Sequence, residues 1–418
     1  MEKHPIKTSL PNTEIIFFLP IFNRYEDVAL TLAKVAPAAK RLTIIFWKTG
    51  GEEAMADRHP NLEIRVLPPM HPFLRLYQLY RLVQDLISSA SGPVILHDTF
   101  GFLLPMFCLR HRKNPVITVS SLYSPCAYAV KEVYGHLTLA ARLRLAQTRL
   151  FLINALVQTG LIVTADHLVA QAPGLIPWYA PGRLAGFRKK FSVIPNSVDT
   201  GRLTTTSVDR TVLGLPEDKF VLLFVGELGT PKGFFIAAEV VKQLDVRGFP
   251  VILAAIGPDC ELERARLHRM PAEADLTRLI RIVPTMDRET FVSYYHAADL
   301  LIYPTKYDGS PRVVIEAMAA GLPVVASDHP GIAVFDQAQN FLPRHLNDDV
   351  PGFVATITGL LTDQTIRRRQ GQAASEHIGL RFSLDAVAQD YVNFYERILR
   401  AQPGANLPPG PPWPQELK

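Results

Sequence analysis

Tyr303-Pro-Thr-Lys-Tyr-Asp308-Gly-Ser-Pro-Arg-Val-Val-Ile-Glu316-Ala-Met-Ala-Ala-Gly321-Leu-Pro-Val-Val-Ala-Ser327 reads as a strand end, a loop, a helix and a second strand. Leu300 to Tyr303 is the apolar lead-in. Ser310 stands where it can cap a helix, with Pro311 as first helical residue, a place where its missing N–H costs nothing. Gly321 ends the helix, and Leu322 to Ala326 has the unbroken apolar character of a strand buried on both faces. Asp308 and Glu316 are thereby predicted on either side of one helix N-terminus.

Glu316 stands among Val313, Val314, Ile315, Ala317, Met318 and Ala319 in a helix that is otherwise nearly all apolar. A buried carboxylate without partners is expensive, so two readings compete. In one, Arg312 and Glu316, four apart, form a solvated pair on the exposed stripe of the helix. In the other, Glu316 faces a crevice at the carboxyl end of a parallel sheet, where open α/β folds bind ligands, and accepts hydrogen bonds from the paired hydroxyls of a ribose.

An acid, seven residues, Glu316 and then Ala-Met-Ala-Ala-Gly-Leu-Pro-Val-Val-Ala-Ser resembles the signature of the family-4 retaining glycosyltransferases. These are nucleotide-sugar-dependent enzymes of the GT-B fold. Members usually carry Glu first; here Asp308 is the shorter acid. The resemblance implies that Glu316 holds the donor ribose, and that Asp308, acting in catalysis, lies with Gly309, Ser310 and Pro311 against the donor sugar. For the whole chain it implies an α/β protein with two Rossmann-like domains facing each other across a cleft.

Upstream, Lys219 to Val225 reads as a buried strand, followed by Gly226-Glu-Leu-Gly-Thr-Pro-Lys232-Gly233 and a helix from about Phe234. Thr230 as cap and Pro231 as first helical residue would put Lys232 in the first turn, where free N–H groups and a cation favour a phosphate. The order Lys-Gly is not that of a P-loop. The segment resembles the same family's Gly-Arg-x-x-x-x-Lys-Gly, in which both cations neutralise the donor diphosphate. That implies diphosphate roles for Gly226, Lys232 and Gly233, but Glu227 replaces the arginine, and a carboxylate beside a diphosphate is repelled. Further strands are predicted at Val251 to Ile256 and Leu279 to Val283. By the same resemblance the loop from Val283 and Pro284 to Thr285 lies against the nucleotide base.

Ser192 to Asp199, Ser-Val-Ile-Pro-Asn-Ser-Val-Asp, is similar to the family's Ile-Pro-Asn-Gly-Val-Asp link between domains, with Ser197 in place of glycine. This divides the chain into an N-terminal acceptor-binding domain, 1–198, and a nucleotide-sugar-binding domain, 199–383. Helical patterns at 350–362, 364–378 and 384–400 follow, and the resemblance sends the last back to the first domain. Residues 401–418 hold six prolines and read as a Pro-rich disordered tail.

Before the link, strands are predicted at Glu14 to Leu19, Leu42 to Trp47, Glu63 to Leu67, Pro93 to His97, Pro115 to Ser120 and Leu161 to Thr164. Helical patterns lie between several of them, notably Leu74 to Ser88, and such alternation implies a mostly parallel sheet. The family commonly ends a Val-x-Thr-x-His strand on a histidine that faces the donor sugar; here Ser120 holds that place, and His97 is the nearest substitute. A lone histidine at a strand end is more often structural. The Gly-Gly loop usual after the first strand is replaced by Pro20 to Arg24, and Arg24 could supply the phosphate charge that Glu227 does not.

A length of 418 residues points to two domains. The 48% hydrophobic content and mean hydropathy of +0.11 leave room for an apolar surface patch, but no stretch has the length of a membrane span. No signal peptide is read at the start, where Pro11 and Glu14 interrupt the apolar run. Cys108, Cys126 and Cys260 show no zinc spacing and form no disulfide framework, which suggests a reducing cytoplasm. No Asp-x-Asp occurs, and no cofactor or metal is expected beyond the nucleotide-diphosphate sugar itself.

Charge is uneven: residues 1–200 hold 22 Lys+Arg and 13 Asp+Glu, hence +9, and residues 201–418 hold 22 and 26, hence −4, which sum to +5. Basic clusters occur at Arg110, Arg112 and Lys113, at Arg142, Arg144 and Arg149, and at Arg188 to Lys190. Leu137 to Val157 alternates several of these with leucines. A core-facing helix is the plainer reading, and a helix on an anionic membrane surface the other. Nucleic acid fits less well, because no aromatics interleave the charges.

These readings converge on a glycosyltransferase that moves a sugar from a nucleotide-diphosphate donor to a glycan or lipid-linked acceptor with retained configuration, in polysaccharide or glycoconjugate synthesis. It would be cytoplasmic, or peripheral at the inner face of the cytoplasmic membrane. Ser120 and Glu227 also fit a degenerate relative that binds a nucleotide sugar without turnover. A nicotinamide enzyme is disfavoured, since no Gly-x-Gly-x-x-Gly follows a strand.

Overall fold

The computed structural model describes residues 9–21, 26–48, 59–99, 101–103, 115–123, 146–203, 209–259, 278–284, 286–336, 338 and 340–401. Cys108, Cys126, Cys260, Arg24, Arg110, Arg112, Lys113, Arg142, Arg144, Thr285, the start of the 137–157 pattern and the tail from 402 onward lie outside them. Contacts divide the chain into two units, Met1–Ser197 with Leu384–Lys418, and Val198–Ser383.

The first unit carries β1 (Leu10–Ile21), α1 (Glu26–Val35), β2 (Ala39–Lys48), β3 (Leu62–Val66), α2 (Pro72–Ser89), β4 (Val94–Asp98), β5 (Val116–Leu122), α3 (Ala146–Thr164), β6 (His167–Ala170) and β7 (Phe191–Val193). The sheet order is β3-β2-β1-β4-β5-β6-β7, and the pairings are parallel. This is the doubly wound order, in which strand succession reverses between β1 and β4.

Alternation along the strands sends successive side chains to opposite faces. Ile15, Phe17 and Leu19 of β1 join a core with Leu30, Leu32 and Ala33 of α1. Ile16 and Phe18 pack on the other face with Leu79, Val83, Leu86 and Ile87 of α2. The last helix, α9 (Leu384–Arg400), belongs to this unit although it follows the second in sequence. Its buried stripe of Val387, Ala388, Tyr391, Val392, Tyr395 and Ile398 recurs every three to four residues and completes the core beside α1.

Leu161 to Thr164 closes helix α3 instead of forming the predicted strand. A short apolar, β-branched run does not distinguish strand from helix by itself. Here Leu161 and Ile162 continue the helical packing, and the strand is the next apolar run, His167–Ala170.

The second unit carries β8 (Phe220–Val225), α4 (Phe234–Val246), β9 (Val251–Ile256), β10 (Ile280–Val283), α5 (Arg288–Ala297), β11 (Leu300–Tyr303), α6 (Arg312–Ala319), β12 (Val324–Ser327), β13 (Arg344–His345), α7 (Val350–Thr362) and α8 (Gln364–Arg381). Its parallel order β10-β9-β8-β11-β12-β13 repeats the first unit's topology, with the reversal between β8 and β11. Phe234, Val240 and Leu244 of α4 and Phe353, Ile357 and Leu361 of α7 fill one side of the sheet. Helix α6 packs on α8, where a Cβ at Gly371 would meet Gly321 O at 2.0 Å; that close approach explains the small residues at both places.

Candidate functional site

Doubly wound sheets bind ligands beyond the carboxyl ends of the strands on either side of the reversal. In the second unit those ends are Val225 of β8 and Tyr303 of β11. Leaving β8, the chain crosses the tip of β9: Gly226 N–H donates to Ile256 O at 2.9 Å and Leu228 N–H to Pro258 O at 2.8 Å. Gly226 (φ 150°) and Gly257 (φ 152°) approach so closely that a Cβ on Gly257 would sit 1.9 Å from Gly226 O.

Thr230–Lys232 then forms a separate 3-10 turn, capped by Gly229, and Gly233 at φ 79° is the N-cap of α4. Lys232 is therefore not in the first turn of the helix, and Thr230 is not its cap. The left-handed Gly233 breaks the helical path between them, and a Cβ there would meet Pro304 O at 1.9 Å. Gly233→Ala therefore combines left-handed backbone strain with a backbone clash, and should cost at least about 1–3 kcal/mol in denaturant titration. An unchanged midpoint would show that the two loops separate freely.

That close approach brings the β8 and β11 loops together. Lys306 N–H donates to Pro231 O at 3.0 Å. Lys232 Nζ lies 2.5 Å from Asp308 Oδ2, which also accepts from Tyr303 Oη at 2.6 Å, and Asp308 Oδ1 accepts from Gly309 N–H at 2.8 Å. Burial works to raise the Asp308 carboxyl, but the Lys232 ammonium and the Tyr303 hydroxyl outweigh it and hold it below the ordinary range. Tyr303 is pushed well up, by burial first and then by Asp308.

Residues 308–310 are held from behind by the loop after β12. His329 Nδ1 accepts from Gly331 N–H at 3.1 Å, and Nε2 lies 3.4 Å from Asp308 N. A Cβ on Gly331 would meet Gly309 O at 1.6 Å. Burial lowers the His329 pKa to about 4, so the ring is neutral at physiological pH.

Pro311, not Ser310, is the N-cap of α6, and no side chain caps the helix. Glu316 is 4% exposed, so the solvated-pair reading fails although the Arg312 contact exists. Glu316 Oε1 accepts from Arg288 Nη2 at 3.1 Å and Arg312 Nη2 at 3.3 Å, and Oε2 accepts from Tyr295 Oη at 2.9 Å. Arg288 is the first residue of α5, whose N-cap Asp287 follows the Val283–Pro284 strand end closely in sequence.

The second unit thus brings Gly226, Lys232, Gly233, Asp308 and Gly309 together at the reversal, and ties Glu316 through Arg288 to the helix after Val283 and Pro284. Among the described residues no ion pair involves Glu227, and no group of three or more His, Cys, Asp or Glu could hold a metal ion. Sequence reasoning missed Arg288, Tyr295, Tyr303 and His329. Arg288 and Tyr295 are seven apart, two helical turns, and so share a face; His329 lies two residues past the end of a strand.

His97 and Ser120 of the first unit are not brought together. His97 pairs in register with Val119 and bonds Ser121, so Ser120 points to the opposite face of the sheet. His97 is fully buried under α9, with Nδ1 2.9 Å from Tyr395 Oη, Nε2 2.8 Å from Ser121 Oγ and its ring 4.2 Å from that of Phe17. These are the surroundings of a packed core histidine. Ser120 is also fully buried, and its Oγ has no hydrogen-bond partner among the described residues.

Residues 206–377 match the family Glycosyl transferases group 1. D-inositol 3-phosphate glycosyltransferase 2 of Catenulispora acidiphila is 30% identical over 250 residues, 56% of each chain. The lipopolysaccharide core biosynthesis glycosyltransferase LpsE of Rhizobium meliloti is 26% identical over 228 residues, 54% of this chain and 63% of its own. The chain therefore spans little more than half the length of the curated relatives it matches. Among solved structures, sucrose-phosphate synthase of Thermosynechococcus elongatus superposes with a TM-score of 0.69 at 18% identity, over 93% of this chain and 100% of its own. HepE of Anabaena, solved in complex with UDP, gives 0.67 at 17%, over 92% and 99%. With both units built on the same doubly wound topology, this is a chain of the GT-B fold whose residues 206–377 match the Glycosyl transferases group 1 family.

Proposed function

We propose that this protein is a glycosyltransferase that moves a sugar from a nucleotide-diphosphate sugar to a glycan or lipid-linked acceptor, with retention of the anomeric configuration. The observation that carries the reading is the meeting of Lys232 and Asp308 at the strand reversal of the second unit, with the buried Glu316 on the helix that follows. Lys232 leaves Asp308 for the donor diphosphate and stabilises the leaving group without a metal. Asp308 and the backbone of Gly309 and Ser310 take the donor sugar, Glu316 the ribose, and the Val283–Pro284 segment the base. The N-terminal domain, residues 1–198, holds the acceptor; His97 and Ser120 act there through packing.

Thermal-shift titration with UDP, GDP, ADP and CMP and their common sugars tests the reading, because a ligand that binds the folded state stabilises it by mass action. At least one nucleoside diphosphate should raise the melting temperature. If none does up to millimolar concentration, the donor site lies elsewhere or does not exist.

The alternative, a relative that binds a nucleotide sugar without transfer, draws on Glu227 and on the pairing of Lys232 with Asp308. Slow hydrolysis of a labelled donor sugar would count against it.

Association with an anionic membrane surface belongs to the same proposal. Its support is the +9 charge of residues 1–200 together with exposed Ile153, Leu156 and Val163 on α3 and Phe73, Leu74 and Tyr77 on α2. No helix among the described residues is long and apolar enough to cross a membrane. Vesicles containing anionic lipid should sediment the protein at low salt and release it as salt rises. Equal binding to neutral vesicles, or none at low salt, removes the idea.

A further inference from the structure

A carboxylate offers about four lone-pair positions, two on each oxygen. At Glu316, Arg288 and Arg312 take both positions on Oε1, and Tyr295 takes one on Oε2. One acceptor position remains, on Oε2. A ribose cis-diol gripping both carboxylate oxygens needs one position on each.

Resting on the donor-site reading above, we infer that nucleotide binding at Glu316 is an exchange of hydrogen-bond donors. One ribose hydroxyl donates to the remaining position on Oε2, and the other displaces the Arg312 guanidinium from Oε1. Arg288 and Tyr295 stay in place and hold the carboxylate in position. No covalent bond changes and no proton is transferred: a charged donor leaves an acceptor and a neutral hydroxyl replaces it.

Arg312 is the donor that leaves, for two reasons on the same helix end. Its contact is the longest of the three, at 3.3 Å against 3.1 and 2.9 Å. It is also the first residue of α6, where the helix dipole disfavours a cation, and no acidic residue in the first turn of α6 offsets that. Arg288 opens α5 in the same way, but there Glu289 in the first turn and Asp287 at the cap supply negative charge. Arg312 therefore competes with the ribose instead of supporting it, and the site selects a ribonucleotide carrying both free hydroxyls only after that competition.

The test compares the tightest-binding of UDP, GDP and ADP with its 2′,3′-dideoxy counterpart by calorimetric titration at fixed ionic strength. Loss of the Arg312 charge changes the attraction for both ligands alike, so the ratio of their affinities isolates the contacts of the hydroxyls. Wild type should prefer the ribonucleotide; Arg312→Met and Arg312→Gln should each raise that preference by about threefold to tenfold, the worth of one hydrogen bond. Glu316→Gln should lower the ratio, because its amide oxygen accepts from a hydroxyl without the charge. Matching circular dichroism and a cooperative melt certify the folded variants, and two substitutions at Arg312 guard against one misfolding.

An unchanged or lower ratio in both Arg312 variants, with Glu316→Gln still lowering it, overturns the exchange and leaves the ribose contact standing. A rise with Arg288→Met but not with Arg312→Met overturns the assignment of the leaving donor. A ratio of one in wild type, or no binding of any diphosphate, brings down the donor-site reading and the exchange with it.

Discussion

Acidification from pH 6.5 towards 3 should destabilise the protein through His97 by several kcal/mol, on the order of 3–5, because each unit of pKa difference corresponds to about 1.4 kcal/mol. Burial lowers the His97 pKa from 6.5 to about 3. The ring lies beneath Tyr391 and Tyr395 and beside Phe17, with no carboxylate bonded to it. In the unfolded chain the ring takes up its proton below its ordinary value of about 6.5, whereas the folded protein resists protonation down to about 3. The unfolded state binds more protons throughout that window, so stability falls as pH falls and levels off below it. His329, lowered to about 4, adds the same sign over a narrower range.

His97→Gln keeps a donor and an acceptor for Tyr395 and Ser121 but cannot be charged. It should lose about 1–3 kcal/mol at neutral pH from poorer packing and show a shallower decline between pH 6 and 4. Denaturant titrations across that range decide the matter: parallel slopes in wild type and variant would mean that another group carries the acid sensitivity.

The fold was legible where strands are wholly apolar and helices carry their own punctuation. The strand at Val251–Ile256 and the helices Val350–Thr362 and Leu384–Arg400 fall where the pattern puts them, because Asp349 caps one helix and a stripe of three-to-four spacing defines the other. Leu161 to Thr164 misled because its β-branched residues favour a strand while its packing partners favour continuing α3. The cap at Thr230 was misplaced for a backbone reason. Gly233 takes a left-handed φ and leaves no room for a Cβ beside Pro304 O, a neighbour distant in sequence.

At the site, the sequence marked Lys232, Asp308 and Glu316 as charges among apolar or glycine-rich neighbours, which is what a ligand-facing group in a buried crevice looks like. Of the partners of Glu316 it marked Arg312 alone, and as a solvated pair. Arg288 and Tyr295 sit in an ordinary amphipathic helix, and their meaning appears only when α5 is laid beside α6. His97 shows the converse. A histidine at a strand end looks available from the sequence, yet the buried face of α9, nearly three hundred residues later, covers it.

Glu316→Gln should weaken binding of the best nucleoside diphosphate by about 1–3 kcal/mol, on the order of tenfold to a hundredfold, because it keeps the shape but removes the charge that strengthens each hydrogen bond. The same change leaves Arg288 and Arg312 without their carboxylate, so part of the loss should appear as a lower melting temperature without ligand. Lys232→Ala acts on another part of the ligand. It removes the cation from Asp308 and from the diphosphate, and should weaken the diphosphate by about tenfold or more while sparing the corresponding nucleoside. The two losses should be close to additive in the double variant, since Lys232 and Glu316 share no direct partner: Lys232 bonds Asp308 and Tyr307 O, and Glu316 bonds Arg288, Arg312 and Tyr295. Calorimetric titration of nucleoside and diphosphate against the three variants separates the outcomes. If Lys232→Ala weakens nucleoside and diphosphate equally, the lysine supports the loop and not the phosphate, and the crevice between β8 and β11 is not where the diphosphate binds.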